Sequence, residues 1–410
     1  MTSRQFYLMI WIITVSLKIQ KAPNLIYNYL QKDSYLLIFA FLLINIVGIC
    51  LTFFMLKKTK GDKITDYGNG IVLTIIKKLL LICSVIYFIL QAELLFEAIQ
   101  DLFSNILFDN LPWSVFGILL LFAIFYLAHS GITNIAVNFE LYAPIILGSY
   151  LLISIMGGLH TDFTEIFPFQ TVSIKSVLDQ IVSFNIWFGD FFLIFFLGRH
   201  AKDIKLSKTL MVYISAMVFV ILLYIEYVGM YYAHATMQPN LITVITDKSM
   251  IGLNVGRADW FLILFTEIGT ILSCAVCLFV AKRCLSVVLP KIKKHYLILA
   301  IVLVMGALDY FYLIDINAKK KFFINQISGF SFAFKMISFA LIFFISLIWK
   351  KLKQKDNQNS KINKLDIFGK YTKVKGKINK GVKISKNIDA KKSLSNIKET
   401  PILNKEASNE

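Results

Sequence analysis

Two short stretches place polar and ionisable residues inside otherwise apolar runs. The first is Thr14–Pro23, where Ser16, Lys18, Gln20 and Lys21 interrupt the run and Pro23 closes it. Pro23 has no backbone donor, and its ring crowds the carbonyl of Ile19 four residues earlier, so a continuous helix is disfavoured there. The second is Asn185–Asp190, where Gly189 and Asp190 stand side by side in a strongly apolar segment. In hydrocarbon each backbone polar group needs an internal partner, and unwound chain persists only where it lines a protein cavity. Two such interruptions point to non-covalent chemistry, in which exposed backbone and a few charges bind a small polar solute. Lys18 requires a carboxylate, from the protein or from a ligand, and Asp190 and Glu267 are the expected protein partners. Ser16, Ile19, Gln91, Glu93, Asn185 and Gly189 complete the expected ligand-binding set.

A charge at mid-membrane costs about 2.5–3.5 kcal/mol on insertion scales, so it normally turns toward the bundle interior. Glu226 and Asp309 are further interior candidates, whereas Glu97, Asp315 and Lys335 are expected near the outer interface. His129, His200 and His295 fall at span ends and His160 and His234 in loops, without metal-ligand spacing. No HExxH, P-loop, GxSxG or nucleotide-binding glycine pattern is present, so no catalytic residue, metal or cofactor is assigned. Cys274 and Cys277 have CxxC spacing, but on an apolar helix, where they read as small packing residues.

The elements that must hold these residues are membrane helices. Of 410 residues, 57% are hydrophobic and only 17% charged, against about 25% charged in a soluble domain. Apolar runs of about twenty residues, each able to cross about 30 Å of hydrocarbon as a helix, recur near 6–29, 35–56, 79–101, 112–129, 141–158, 183–199, 208–232, 259–282, 295–316 and 326–349. The ten-residue polar alternation of a β-barrel is absent. Phe6–Tyr29 carries Lys18 and Lys21 and lacks a small-x-small cleavage site, so it is expected to be a retained first span. Spans 1 and 6 are five apart, the separation that a five-plus-five inverted repeat with discontinuous helices 1 and 6 requires.

Lysines and arginines cluster in the loops after spans 2, 6 and 8, which puts those loops and both termini on the cytoplasmic side; the Lys319–Lys321 cluster counts against this. Residues 1–349 form the expected transmembrane domain. Residues 350–410 hold 17 Lys against six acidic residues, +11 of the total +18. They are expected to form a disordered cytoplasmic tail, either lying on anionic lipid headgroups or simply solvated; no nucleic-acid motif accompanies that charge.

The chain resembles the spore germination permease family, the multi-span B subunit of germinant receptors, within the amino acid–polyamine–organocation transporter superfamily. The resemblance rests on Ser3-Arg4-Gln5-Phe6 followed by Lys18-Ile19 and Pro23, on Leu111-Pro112-Trp113, on the polar segment Gly131–Glu140, on Asn185–Asp190 and on Arg257-Ala-Asp259. These occur in order over residues 3–349. The span-1 glycines of that family are missing, and Arg-Ala-Asp replaces its Arg-Leu-Asp. The resemblance implies an all-α LeuT-type fold and a germinant-sensing subunit of the inner spore membrane. Its partners would be a larger membrane-anchored A subunit and a lipoprotein C subunit, and its ligand a small germinant such as an amino acid. An amino acid secondary transporter of the same superfamily is the alternative, and a membrane-embedded enzyme or structural protein a third class.

Overall fold

The computed structural model describes residues 1–20, 22–59, 71–103, 113–166, 173–231, 241–242, 245, 259–313, 327–338 and 340–341. All of these belong to one unit, Met1–Leu347. The lysine-rich segment 350–410, the Lys319–Lys321 cluster, Asp315, His234 and Leu111-Pro112 lie outside the described residues.

Among the described residues regular structure is helical throughout. The helices are α1 (Ser3–Ile19), α2 (Ala22–Leu30), α3 (Ser34–Thr59), α4 (Ile71–Leu102), α5 (Trp113–Ser130), α6 (Ile132–His160), α7 (Ile174–Phe184), α8 (Asp190–Gly198), α9 (Leu206–Tyr231), α10 (Asp259–Val288) and α11 (Lys294–Leu313). Residues 327–338 add a further helical stretch. Among the described residues six helical segments are long and apolar enough to cross a membrane: Ser34–Lys57, Thr74–Leu102, Ile132–His160, Ile174–Gly198, Leu206–Met230 and Trp260–Val288, with Phe116–Ser130 as a shorter apolar helix. The first expected span is divided between α1 and α2, neither of which reaches that length alone.

Several charged side chains are buried within an apolar core, and many large apolar side chains are exposed. Lys18, Asp190 and Glu267 are almost completely buried, whereas Phe122 is 71% and Met211 75% exposed. In water this arrangement would be unstable; in lipid it places apolar side chains against acyl chains and polar ones against each other. The chain is an integral membrane protein.

The start of α1 is clamped. Thr2 and Gln5 form a reciprocal capping box, which satisfies two donors at the helix N-terminus. The Met1 ammonium donates to the His200 carbonyl (3.2 Å), and the Lys205 amide donates to Tyr7 Oη (3.0 Å). The segment joining α8 to α9 is thereby tied to α1. Burial, with Arg283 and the N-terminal charge nearby, pushes the His200 imidazole below its ordinary range, so His200 adds little charge to a segment already carrying Lys202 and Lys205. From this anchor α1 packs against α6, α9 and α10, while α8 packs against α3 and α1.

Two boundaries differ from the sequence reading. The segment Gly131–Glu140 is not a polar loop: α6 begins at Ile132, and Gly131 alone turns the chain with φ 97°, a value that favours glycine. The sixth expected span, 183–199, begins earlier, at Ile174, because α7 continues the apolar segment on its N-terminal side. Cys274 and Cys277 are buried and unbridged against α4, where the Cys274 thiol faces the Ala92 carbonyl (3.4 Å), in keeping with a packing role.

The α3–α8 contact depends on Gly48, where a Cβ would meet the Phe191 ring at 2.6 Å; nothing lies within 4 Å of such an atom at Gly148. Gly48→Val is therefore expected to lower stability by about 1–3 kcal/mol through overpacking. Gly148→Ala should leave it unchanged or raise it by a few tenths of about 1 kcal/mol. Thermal unfolding of the detergent-purified variants checks the contrast.

Candidate functional site

The first break lies where the sequence places it. α1 ends at Ile19, Gln20 leaves helical geometry (φ −77°, ψ −107°), and α2 starts at Ala22. Pro23 thus sits in the first turn of α2, where a missing N–H costs nothing. The second break is a single 3-10 turn, Asn185–Phe188, followed by Gly189, which separates α7 from α8. Asn185 and Asp190 are buried, so this segment is not at the surface.

The two breaks meet through one ion pair. Lys18 Nζ lies 2.8 Å from both Asp190 oxygens and also donates to the Thr14 carbonyl (3.1 Å). Lys18 stands in the last turn of α1 and Asp190 in the first turn of α8. Each charge therefore opposes the partial charge of its own helix end, which favours both. The Phe188 ring stacks on Phe41 at 4.1 Å and lies beneath Lys18 Nζ at 5.4 Å. Tyr213 Oη completes the pair by donating to Asp190 Oδ2 (3.1 Å).

Breaking a helix frees carbonyls that need donors. Side chains from other helices supply them. Tyr224 Oη donates to the Lys18 carbonyl (3.1 Å), Asn45 Nδ2 to the Phe188 carbonyl (3.0 Å) and Lys335 Nζ to the Asn185 carbonyl (2.6 Å). Gly189 is needed for space: a Cβ there would collide with both Tyr87 Oη and Lys335 Nζ.

A polar strip continues along α1. Ser16 Oγ and Tyr150 Oη share a hydrogen bond of 2.9 Å. Gln20 Nε2 donates to Glu267 Oε1 (2.6 Å) and Thr270 Oγ1 (3.1 Å). Of the two carboxylates expected beside Lys18, Asp190 is its partner; Glu267 instead receives Gln20, the residue at the break itself. Ile19 is buried as the last residue of α1. Gln91 and Glu93 are buried on α4, and Gln91 accepts from Cys277 Sγ (3.9 Å) across the contact with α10. Glu226 accepts from Ser154 (2.7 Å), Asp309 is buried and Glu97 half-buried.

Lys335 corrects the sequence reading. It is not at an outer interface but completely buried against the second break. Its depth follows from packing of residues 327–338 against Tyr87 and Phe192, which an uncertain span boundary does not reveal. Sequence reasoning also missed Tyr213 and Tyr224, eleven residues (three turns) apart on one face of α9, and Asn45 on α3. Buried hydroxyls and amides on apolar helices are the available signal, since each needs an internal partner. No group of three metal-ligating side chains occurs among the described residues.

Broken helices that meet at a buried ion pair, among helices long and apolar enough to cross a membrane, suit a permease-like membrane protein. The sequence profile of the spore germination protein family matches residues 1–320, and the chain belongs to that family. No curated protein matches it.

Removing one charge of the pair should strand the other in the membrane interior. Lys18→Met and Asp190→Leu are each expected to cost about 3–5 kcal/mol, and the double variant markedly less than the sum. Thermal unfolding of the four proteins in one detergent measures this; additive effects would mean that the two groups are not coupled.

Proposed function

We propose that the protein is the membrane subunit of a spore germinant receptor, binding a small germinant such as an amino acid where its two broken helices meet. Family membership supports the setting, and the Lys18–Asp190 pair joining the two breaks is the observation that carries the ligand site. The breaks fall in the first and sixth of ten proposed spans, related as a LeuT-type five-plus-five inverted repeat. The Lys and Arg residues in the loops after spans 2, 6 and 8 support both termini on the cytoplasmic side of the inner spore membrane.

In this reading Ser16, Lys18, Ile19, Asn185, Gly189, Asp190 and Glu267 form the site, with Gln91 and Glu93 on its α4 wall. Germinant enters between α1 and α8 and binds one arrangement of the breaks better than another. The population shifts by as much as that difference in affinity. The shift passes to A and C subunits, while residues 350–410 hold anionic lipid headgroups by charge. The chain binds and signals; it carries no catalytic step.

Two measurements test the reading. Spores carrying Lys18→Met should retain the protein in the inner membrane, as judged by immunoblot, yet fail to germinate with nutrients that trigger the wild type. A normal response would remove the role of Lys18. In proteoliposomes the chain alone should bind the germinant without accumulating it; steady uptake would establish an amino acid transporter instead.

A further inference from the structure

Around the second break the charges do not balance. Lys18 and Asp190 neutralise each other, but Lys335, fully buried, has no carboxylate partner among the described residues. Its Nζ donates to the Asn185 carbonyl (2.6 Å) and sits 5.1 Å from the centre of the Tyr87 ring. An ammonium has three donors, and one neutral carbonyl does not offset the loss of water from a buried cation.

The groups beside it are also short of partners, and they are donors. Tyr87 Oη, Asn185 Nδ2 and Ser331 Oγ are buried without a hydrogen bond. Asn185 is the residue whose carbonyl holds Lys335, and Ser331 lies one helical turn before Lys335 on the same face. Tyr87 Oη and Lys335 Nζ both abut Gly189. Buried polar groups ordinarily find partners, and an unsatisfied cluster needs an explanation. Four groups able to donate, one of them cationic, facing a glycine at a helix break, match the needs of a carboxylate, which only accepts.

We propose that Lys335, with Tyr87, Asn185 and Ser331, binds the carboxylate of the germinant, so that Lys18 is held by Asp190 and is not the ligand's anchor. This rests on the receptor reading above and names the ligand class for that site: small solutes with a free carboxylate. Binding would neutralise Lys335, and the lack of a side chain at Gly189 is what lets Tyr87 Oη and Lys335 Nζ approach the backbone of the break together.

The test uses the full-length protein in nanodiscs and thermal-shift titration with the twenty proteinogenic L-amino acids and their carboxamides, in chloride and in methanesulfonate buffers. At least one free acid should stabilise the wild type while its carboxamide binds roughly tenfold or more weakly. Lys335→Met should weaken that acid about a hundredfold and abolish the preference for acid over amide. Lys335→Arg should retain part of it. Tyr87→Phe, which removes only a hydroxyl and so spares the packing, should weaken the acid several-fold and leave the amide unchanged, which keeps the test open should Lys335→Met not fold. An unchanged acid-over-amide preference in Lys335→Met and Tyr87→Phe would overturn the assignment and leave the receptor reading intact. Protection by chloride that requires Lys335 and that no amino acid displaces would overturn it in favour of an inorganic-anion site. If no amino acid shifts the wild type, the receptor reading falls first, and this one with it.

Discussion

The buried pair between Lys18 and Asp190 is the constraint around which the rest is arranged. Either charge alone is costly in a hydrocarbon-embedded bundle, so each helps fix the other's position. Because Lys18 closes α1 and Asp190 opens α8, satisfying the pair also brings two interrupted helices together. The opposed helix ends add to the attraction, and Tyr213 takes up an Asp190 lone pair that Lys18 leaves available. A straight pair of helices would present no such ends, and the same two residues would lack the favourable end charges.

The breaks then set the demands on neighbouring helices. Each freed carbonyl must find a donor, and the donors come from elements distant in sequence: Tyr224 from α9, Asn45 from α3 and Lys335 from residues 327–338. These side chains are neither an apolar core nor a surface. They are the means by which irregular backbone is kept inside a membrane protein, and they couple the breaks to at least three other helices. A ligand that alters one break therefore acts on the packing of several elements at once, which suits a sensor whose output is a change of shape rather than a product.

Much of this was legible from the chain. A lysine among apolar residues with a proline five positions on, and a Gly-Asp pair within another apolar run, mark the two breaks directly, because lipid makes charge and missing donors conspicuous. Charge alone demanded a carboxylate for Lys18 and narrowed it to Asp190 or Glu267. What was not legible depends on depth and rotation. Lys335 lies well inside the expected span 326–349, and only packing decides whether its side chain reaches an interface or the second break. Tyr213 and Tyr224 sit on a helix apolar enough to hide which face is inward. Glu267 was equivalent to Asp190 on charge, and only packing sent it to Gln20 instead.

By itself the sequence determined that the chain crosses a membrane, where its helices are interrupted and which charges need partners, since these follow from the local exclusion of water and the geometry of proline and glycine. Only the tertiary structure decided which partner each charge takes and that a second lysine, Lys335, is buried behind Gly189 with no carboxylate in ion-pair range among the described residues. Those outcomes depend on how helices rotate and at what depth they meet, and no local property of the chain encodes either.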